Sequence, residues 1–260
     1  MDILEKITKH KKEEVKIRKQ KTAIKKLEQS QFFSRSVYSV TEFIKNKSGI
    51  IAEFKRQSPS KGVIHLNPNL KKITKGYTEA GVSAISVLTD HYFFGGTDND
   101  LIETRQFNSI PLLRKDFIID EYQIIESKAI GADLILLIAA CLTPKEVQKF
   151  ARLAQSLGLE VLLEVHNEFE LEKSLCDELN LIGVNNRNLK TFEVNLNHSY
   201  ELVEKIPNQF LKISESGISN PKTIKSLQKV GFDGFLIGEN FMKTTYPEQS
   251  CLQFIQELSK

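Results

Sequence analysis

Residues 50–62 read IIAEFKRQSPSKG. The stretch opens as a buried strand through Ile50, Ile51, Ala52 and Phe54, then carries Glu53 and Lys55 at its end and a polar loop from Ser58 to Gly62. Residues two apart on a strand point to one face, so Glu53 and Lys55 share a side. Charges at the end of an apolar strand need partners or a task. Taken alone, a structural ion pair is as good an account as a site. The decision comes from repetition downstream.

Apolar runs recur at 84–88, 111–113, 134–139, 161–165, 181–184, 210–213 and 235–237. Helix-like segments lie between them, at 69–80, 98–107, 122–130, 144–157, 169–176, 199–205 and 221–230. Gly81, Gly131, Gly158 and Gly231 close several of these, the usual C-terminal signal. Thr143-Pro144-Lys145-Glu146 and Ser219-Asn220-Pro221 mark two starts. Near-continuous apolar strands alternating with helices mean parallel strands covered on both faces. Eight such units predict an α/β fold, a (β/α)8 TIM barrel. A doubly wound open sheet is the alternative, weakened because no Gly-rich nucleotide fingerprint follows the first strand.

Ahead of the barrel, residues 2–29 contain no Gly or Pro and read as helix, with a short apolar face at Ile3, Leu4 and Ile7. Residues 41–47 suggest another short helix. The expected organisation is one structural unit: an N-terminal helical extension over 1–48 that covers a catalytic barrel over 49–260. Residues 1–27 hold ten Lys/Arg against four Asp/Glu, a net of +6, which leaves −3 for the rest of the chain. The basic arm lacks interleaved aromatics, so nucleic-acid binding is not expected. No apolar run is long enough to span a membrane and no signal-peptide pattern opens the chain, so no membrane association is expected. Cys141, Cys176 and Cys251 are odd in number and far apart. They support neither a disulfide framework nor a metal site, and a reducing cytoplasm is the expected location.

In a (β/α)8 barrel, function sits where the strands end. Six of the eight runs end in polar or charged groups: Glu53 and Lys55; Arg114-Lys115-Asp116; Glu164; Asn185-Asn186-Arg187; Ser214-Glu215-Ser216-Gly217; and Gly238-Glu239-Asn240. Alternation puts Lys115 on the face of Leu113, Glu164 on that of Leu162, and Glu215 on that of Ile213. Such convergence on one rim favours a site over scattered ion pairs. The last two ends read as a phosphate cradle, with backbone N–H groups at Ser216-Gly217 and at Gly238-Glu239, before a helical segment over 240–243. The Glu239 carboxylate is expected to turn to solvent while its N–H donates. His91 and His166 lie near this rim and are expected to be ordinary structural histidines.

The segments IAEFKRQSPSKG, SVLTDHYFFGG, LLRKDFIID, ADLILLIAACLT, LLEVHN, IGVNNRNL, ISESGI and GFLIGENFM together resemble the indole-3-glycerol-phosphate synthase family over essentially the whole chain. The resemblance implies ring closure of 1-(2-carboxyphenylamino)-1-deoxyribulose 5-phosphate, with loss of carbon dioxide and water, in tryptophan biosynthesis. It implies no metal and no cofactor. Lys115 would be the general acid, Glu164 and Glu53 the catalytic carboxylates, and Lys55 a phosphate contact and second acid. Which lysine acts at which step stays open. Asn185 and Arg187 would meet the substrate. Glu215, Ser216, Gly217, Gly238 and Glu239 would serve as substrate and phosphate contacts, with Ser58 beside them. Phe94, Phe117, Leu136, Ile138, Leu189 and Leu236 would form the slot for the aromatic ring, although Leu136 and Leu236 are also what any barrel core needs. A lysine near cations is a better acid, which is the environment expected for the catalytic lysine.

Asp90-His91 departs from the family's usual pair in the second loop, with an effect expected on loop shape. A neighbouring phosphosugar barrel, phosphoribosylanthranilate isomerase, would need a Cys/Asp pair, and strand one carries no cysteine. A non-catalytic protein binding through the basic arm is the third possibility. The small-molecule phosphosugar-anthranilate substrate is the expected partner and a monomer the expected state, with contact to other tryptophan-pathway enzymes left open.

Overall fold

The computed structural model describes residues 2–260. Eight parallel strands close into a barrel. They are β1 (Ile50–Phe54), β2 (Ala84–Leu88), β3 (Leu112–Lys115), β4 (Leu134–Ile138), β5 (Glu160–Val165), β6 (Leu181–Asn185), β7 (Leu211–Glu215) and β8 (Gly234–Ile237). Closure is by β1 on β8, with Ile51 opposite Leu236, and by β1 on β2, with Glu53 opposite Ser86. A two-stranded ribbon, Gln57–Ser58 with Gly62–Val63, folds the first loop back over the rim.

The helices are α1 (Ile3–Lys21), α2 (Ile24–Glu28), α3 (Val40–Asn46), α4 (Leu70–Glu79), α5 (His91–Phe94), α6 (Asp98–Phe107), α7 (Glu121–Ala129), α8 (Pro144–Ser156), α9 (Glu168–Ser174), α10 (Asn197–Leu202), α11 (Pro221–Lys229), α12 (Glu239–Met242) and α13 (Pro247–Leu258). Alternate strand residues divide into two cores. Ile51, Leu113, Leu134, Leu162, Ile213 and Leu236 fill the barrel, while Ile50, Leu112, Ile135, Leu163, Val184 and Phe235 pack outward on the helices. Both faces of most strands are thus apolar, which is why the runs look unbroken in sequence; β7, with Lys212 and Ser214 outward, is an exception. Val40 and Ile44 of α3 join the inner cluster and seal the barrel where the strands begin.

Three differences from expectation have local causes. The helix expected over 2–29 is two helices, because Thr22 and Ala23 are extended between α1 and α2. Thr22, β-branched and at the end of a basic last turn, is a weak helix residue that leaves the helical region here. Helix α13 was not expected; Pro247 at its first turn and Cys251 and Phe254 on its buried side are its signals. The 199–205 segment is α10 followed by a 3-10 turn, Val203–Lys205.

Helix α1 packs across the barrel through Ile7, Lys11 and Val15, one stripe at four-residue spacing. Lys11 is 1% exposed, with its ammonium 2.8 Å from Asp90, 2.9 Å from Asp116 and 2.9 Å from Glu14. A buried cation is tolerable only with such partners. Asp90, which caps α5, therefore also anchors α1 to the rim, a role beyond loop shape. Among the described residues, no helix is long and apolar enough to cross a membrane.

Candidate active site

At the C-terminal end of the strands lies a cavity of about 500 Å³, within the ~300–1,000 Å³ typical of small-ligand sites. Glu53, Lys55, Ser58, Phe94, Lys115, Phe117, Leu136, Glu164, Asn185, Arg187, Leu189, Glu215, Ser216, Gly217, Leu236, Gly238 and Glu239 all line it. The structure brings every site residue expected from sequence to this one space.

Lys115 is the centre. It leaves β3 on the face of Leu113 and crosses the barrel mouth to Glu215 Oε2 at 2.6 Å and Glu164 Oε2 at 3.1 Å. Glu164 Oε1 accepts from Asn185 Nδ2 at 3.1 Å. Asn185 Oδ1 in turn accepts from Ser216 Oγ at 2.9 Å and from the Arg187 N–H at 3.0 Å. One chain of contacts thus runs from β3 through β5 and β6 to the loop after β7. Lys55 and Glu53 pair at 2.7 Å on the opposite side, and Ser86 approaches Glu53 at 3.4 Å. Two glycines make room. A Cβ at Gly183 would run into Glu215, and one at Gly238 would run into Glu53. Ser216 is held at φ +68°, a left-handed conformation uncommon for serine, so its hydroxyl points back to Asn185.

Burial disfavours the Lys115 ammonium, yet Glu215, Glu164 and Glu53 outweigh it and raise its pKa well above the lysine range. Carboxylates, not cations, surround Lys115, because β5 and β7 point glutamates at it. These contacts favour the protonated ammonium. Burial pushes Glu215 up to about 7, against the opposing pull of Lys115. Burial acts the same way on Glu164, but Lys115 and His166 outweigh it, and its pKa falls below the usual carboxylate value. Two glutamates on one lysine are thus separated into one that stays ionised and one that titrates near neutrality.

This separation has a measurable consequence. A carboxyl raised by folding contributes stability below its unfolded value and loses it as pH rises through the folded one. For Glu215 the window is about 4.5 to about 7. Glu215→Gln, which mimics the protonated form, is expected to melt several degrees above wild type at pH 8 and alongside it at pH 4. Parallel melting curves at both values would contradict the assignment.

The apolar side of the cavity has Phe94 and Phe117 with ring centroids 6.0 Å apart, and Leu136, Ile138, Leu189 and Leu236 around them. Ile3, Leu4 and Ile7 of α1 complete it, so the N-terminal extension supplies part of the wall. Sequence shows their apolar spacing but not what they cover. Of the triplet after strand three only Lys115 belongs to the paired-charge centre. Arg114 turns outward to Glu126 at 2.8 Å and Asp98 at 3.1 Å, and Asp116 to Lys11. Asn186 is likewise structural, holding Ser199, Ser214 and the backbone of Glu215.

Gly217 and Gly238 both line the cavity, just beyond the ends of β7 and β8. Helix α12 opens at Glu239, one residue earlier than expected. Its first N–H groups have no intrahelical acceptor and carry the positive end of the backbone dipole. The Glu239 carboxylate is 34% exposed and turns to solvent only in part. It lies 3.4 Å from Arg187 and 3.4 Å from Lys61, two cations that converge on this end of the cavity. His91 is exposed, whereas His166 is half-buried against Glu164 and Glu170.

A closed parallel barrel with a lysine between two buried glutamates at its C-terminal mouth defines a (β/α)8-barrel enzyme with a small-molecule site. Solved structures agree on the fold. The chain is similar to 3-hexulose-6-phosphate synthase from Salmonella typhimurium, with TM-score 0.63 and 14% identity, covering 81% of this chain and 98% of that one. It is also similar to tryptophan synthase subunit alpha from Legionella pneumophila, with TM-score 0.61 and 13% identity over 84% and 96%. The family model for indole-3-glycerol phosphate synthase matches residues 4–255. The indole-3-glycerol phosphate synthase of Bacteroides thetaiotaomicron is 44% identical over 264 residues, covering 99% of each chain, and that of Acinetobacter baylyi is 43% identical over 250 residues, covering 95% and 93%. The chain belongs to the indole-3-glycerol phosphate synthase family.

Proposed function

We propose that the groups of this cavity divide the family's reaction as follows. The protein is a carboxy-lyase that closes the indole ring of 1-(2-carboxyphenylamino)-1-deoxyribulose 5-phosphate to give indole-3-glycerol phosphate, carbon dioxide and water. A bond forms between the carboxylate-bearing aromatic carbon and the ketone carbon, and the ketone oxygen takes a proton. Lys115 donates it, and the observation that carries this is its position between Glu164 and Glu215. Ring closure leaves positive charge beside the aromatic nitrogen. Glu164 and Glu53 stabilise that charge, because fixed carboxylates act strongly where it develops. The carboxylate then departs as carbon dioxide from the apolar slot of Phe94, Phe117, Leu136, Leu189 and Leu236. Loss of the hydroxyl as water needs an acid and a base, which the Lys115–Glu164 and Lys55–Glu53 pairs supply.

Asn185, Ser216, Ser58 and Glu215 orient the sugar, and Arg187 approaches the carboxylate. Lys55 and the amides at Gly217, Gly238 and Glu239 take the phosphate, in the loops after β7 and β8 that serve this purpose in many barrels. Residues 1–48 act as a cover over the barrel of 49–260. The substrate is the only partner required, the protein acts as a monomer, and three unpaired cysteines suit a reducing cytoplasm.

An analogue with the ketone reduced to an alcohol keeps the phosphate and the aromatic carboxylate but cannot close. At about 100 times its Kd it adds about 2.7 kcal/mol, a rise of roughly 5–11 °C in Tm for a chain of this size. Lys115→Met should shift nearly as far, since Lys115 acts on the transition state. An unchanged Tm for the wild-type protein would contradict the proposed substrate class.

A further inference from the structure

His166 immediately follows β5, two residues beyond Glu164, and is not needed by the reaction as described. Its local sequence holds it firmly. Asn167 caps α9 by accepting from the Glu170 N–H at 2.9 Å, and its Nδ2 donates to Glu170 Oε1 at 3.2 Å. That fixes Glu170, whose Oε2 accepts from the His166 backbone N–H at 2.9 Å and lies 3.1 Å from His166 Nδ1. The ring is thereby oriented with Nε2 3.5 Å from Glu164 Oε1. Nε2 is buried and makes no hydrogen bond among the described residues.

The protonation state follows from these contacts. With Nδ1–H given to Glu170, a neutral ring would aim the Nε2 lone pair at a carboxylate. The imidazolium instead presents an N–H to each of two glutamates. Burial disfavours that cation, but Glu170 and Glu164 outweigh burial and raise His166 above the ordinary histidine value. The other charged groups around it agree. Glu215 adds a negative charge across the barrel, while Lys115 sits on Glu164 and Lys173 lies near Glu170. The Cys141 thiol, pushed up to about 12 by burial, is neutral.

We infer that His166 is a positioning residue for the reaction: clamped by Glu170, it presents a cation to Glu164 and holds that carboxylate ionised and turned toward Lys115. Glu164 then has a cation on each oxygen, Lys115 from the substrate side and His166 from behind. Substrate binding alters the first without touching the second. A second cavity of about 800 Å³ lies behind His166, bordered by Glu170, Cys141 and His198. The inference rests on Glu164 acting in its ionised form, and its test is built to separate the two.

The test is kcat against pH for wild type, His166→Gln, Glu170→Gln and Glu164→Gln, with a melting curve for each. His166→Gln is expected to move the acid limb of kcat upward by about one pH unit, to lose about tenfold in kcat on that limb, and to keep KM within about twofold. Glu170→Gln should move the limb in the same direction by less, and it decides the matter if His166→Gln does not fold. A folded His166→Gln enzyme whose profile superimposes on wild type overturns the inference, even if its Tm has fallen. If Glu164→Gln is inactive while the His166 and Glu170 profiles stay unchanged, this inference alone fails. If Glu164→Gln turns over at full rate, the role of Glu164 fails and this one with it.

Discussion

Lys115→Met is expected to lower kcat by about 10²–10⁴-fold while the barrel stays folded, the usual contribution of a positioned general acid. Methionine keeps the length of the side chain and loses the proton. The structure adds a reason for the effect to lie high in that range. Among the described residues Lys115 is the one ammonium in contact with both Glu164 and Glu215, so its loss leaves two buried carboxylates close together. Like charges so placed force one to protonate. Glu215, already pushed up to about 7, is the one that gives way. The variant is therefore expected to melt less stably at pH 8 than at pH 5, by a margin larger than that of wild type. Near-normal kcat would remove Lys115 from the acid role and leave Lys55 as the candidate.

Glu164→Gln is expected to cost kcat about as much, with little change in KM. The amide is nearly isosteric and its single oxygen can still accept from Lys115, so the fold and substrate binding survive. It cannot carry charge or take a proton. A group whose effect is realised only once positive charge has developed on the ring lowers kcat rather than substrate affinity. If Glu164 were only the structural partner of Lys115, the variant would turn over at full rate and melt earlier. Steady-state kinetics and a melting curve on one preparation separate these outcomes.

Much of this centre is legible in the chain. Strand alternation alone assigns Lys115, Glu164 and Glu215 to the barrel mouth, since each shares parity with an inward Leu or Ile. It also excludes Arg114, one residue away, which the structure finds in the outer ion network. What cannot be read along the chain is contact between elements. Nothing in residues 1–29 says that Ile3, Leu4 and Ile7 wall a cavity or that Lys11 is buried on Asp90 and Asp116. Those facts depend on how α1 lies across the rim. The sign of the Lys115 shift is hidden for the same reason: β5 and β7 bring Glu164 and Glu215 to it from 49 and 100 residues downstream. The break at Thr22 and the helix α13 have local signals, a β-branched residue after a basic turn and a proline ahead of a spaced apolar stripe.

The central claim is that one cavity, with its own lysines and glutamates, closes the ring and expels carbon dioxide and water. The most direct measurement follows indole fluorescence and carbon dioxide release together after purified protein is mixed with the carboxyphenylamino deoxyribulose phosphate, in buffer containing a metal chelator. The account predicts that fluorescence rises over many turnovers, with one carbon dioxide for each indole, at a rate the chelator does not change. No indole, indole out of proportion to carbon dioxide, or a rate abolished by the chelator would contradict it.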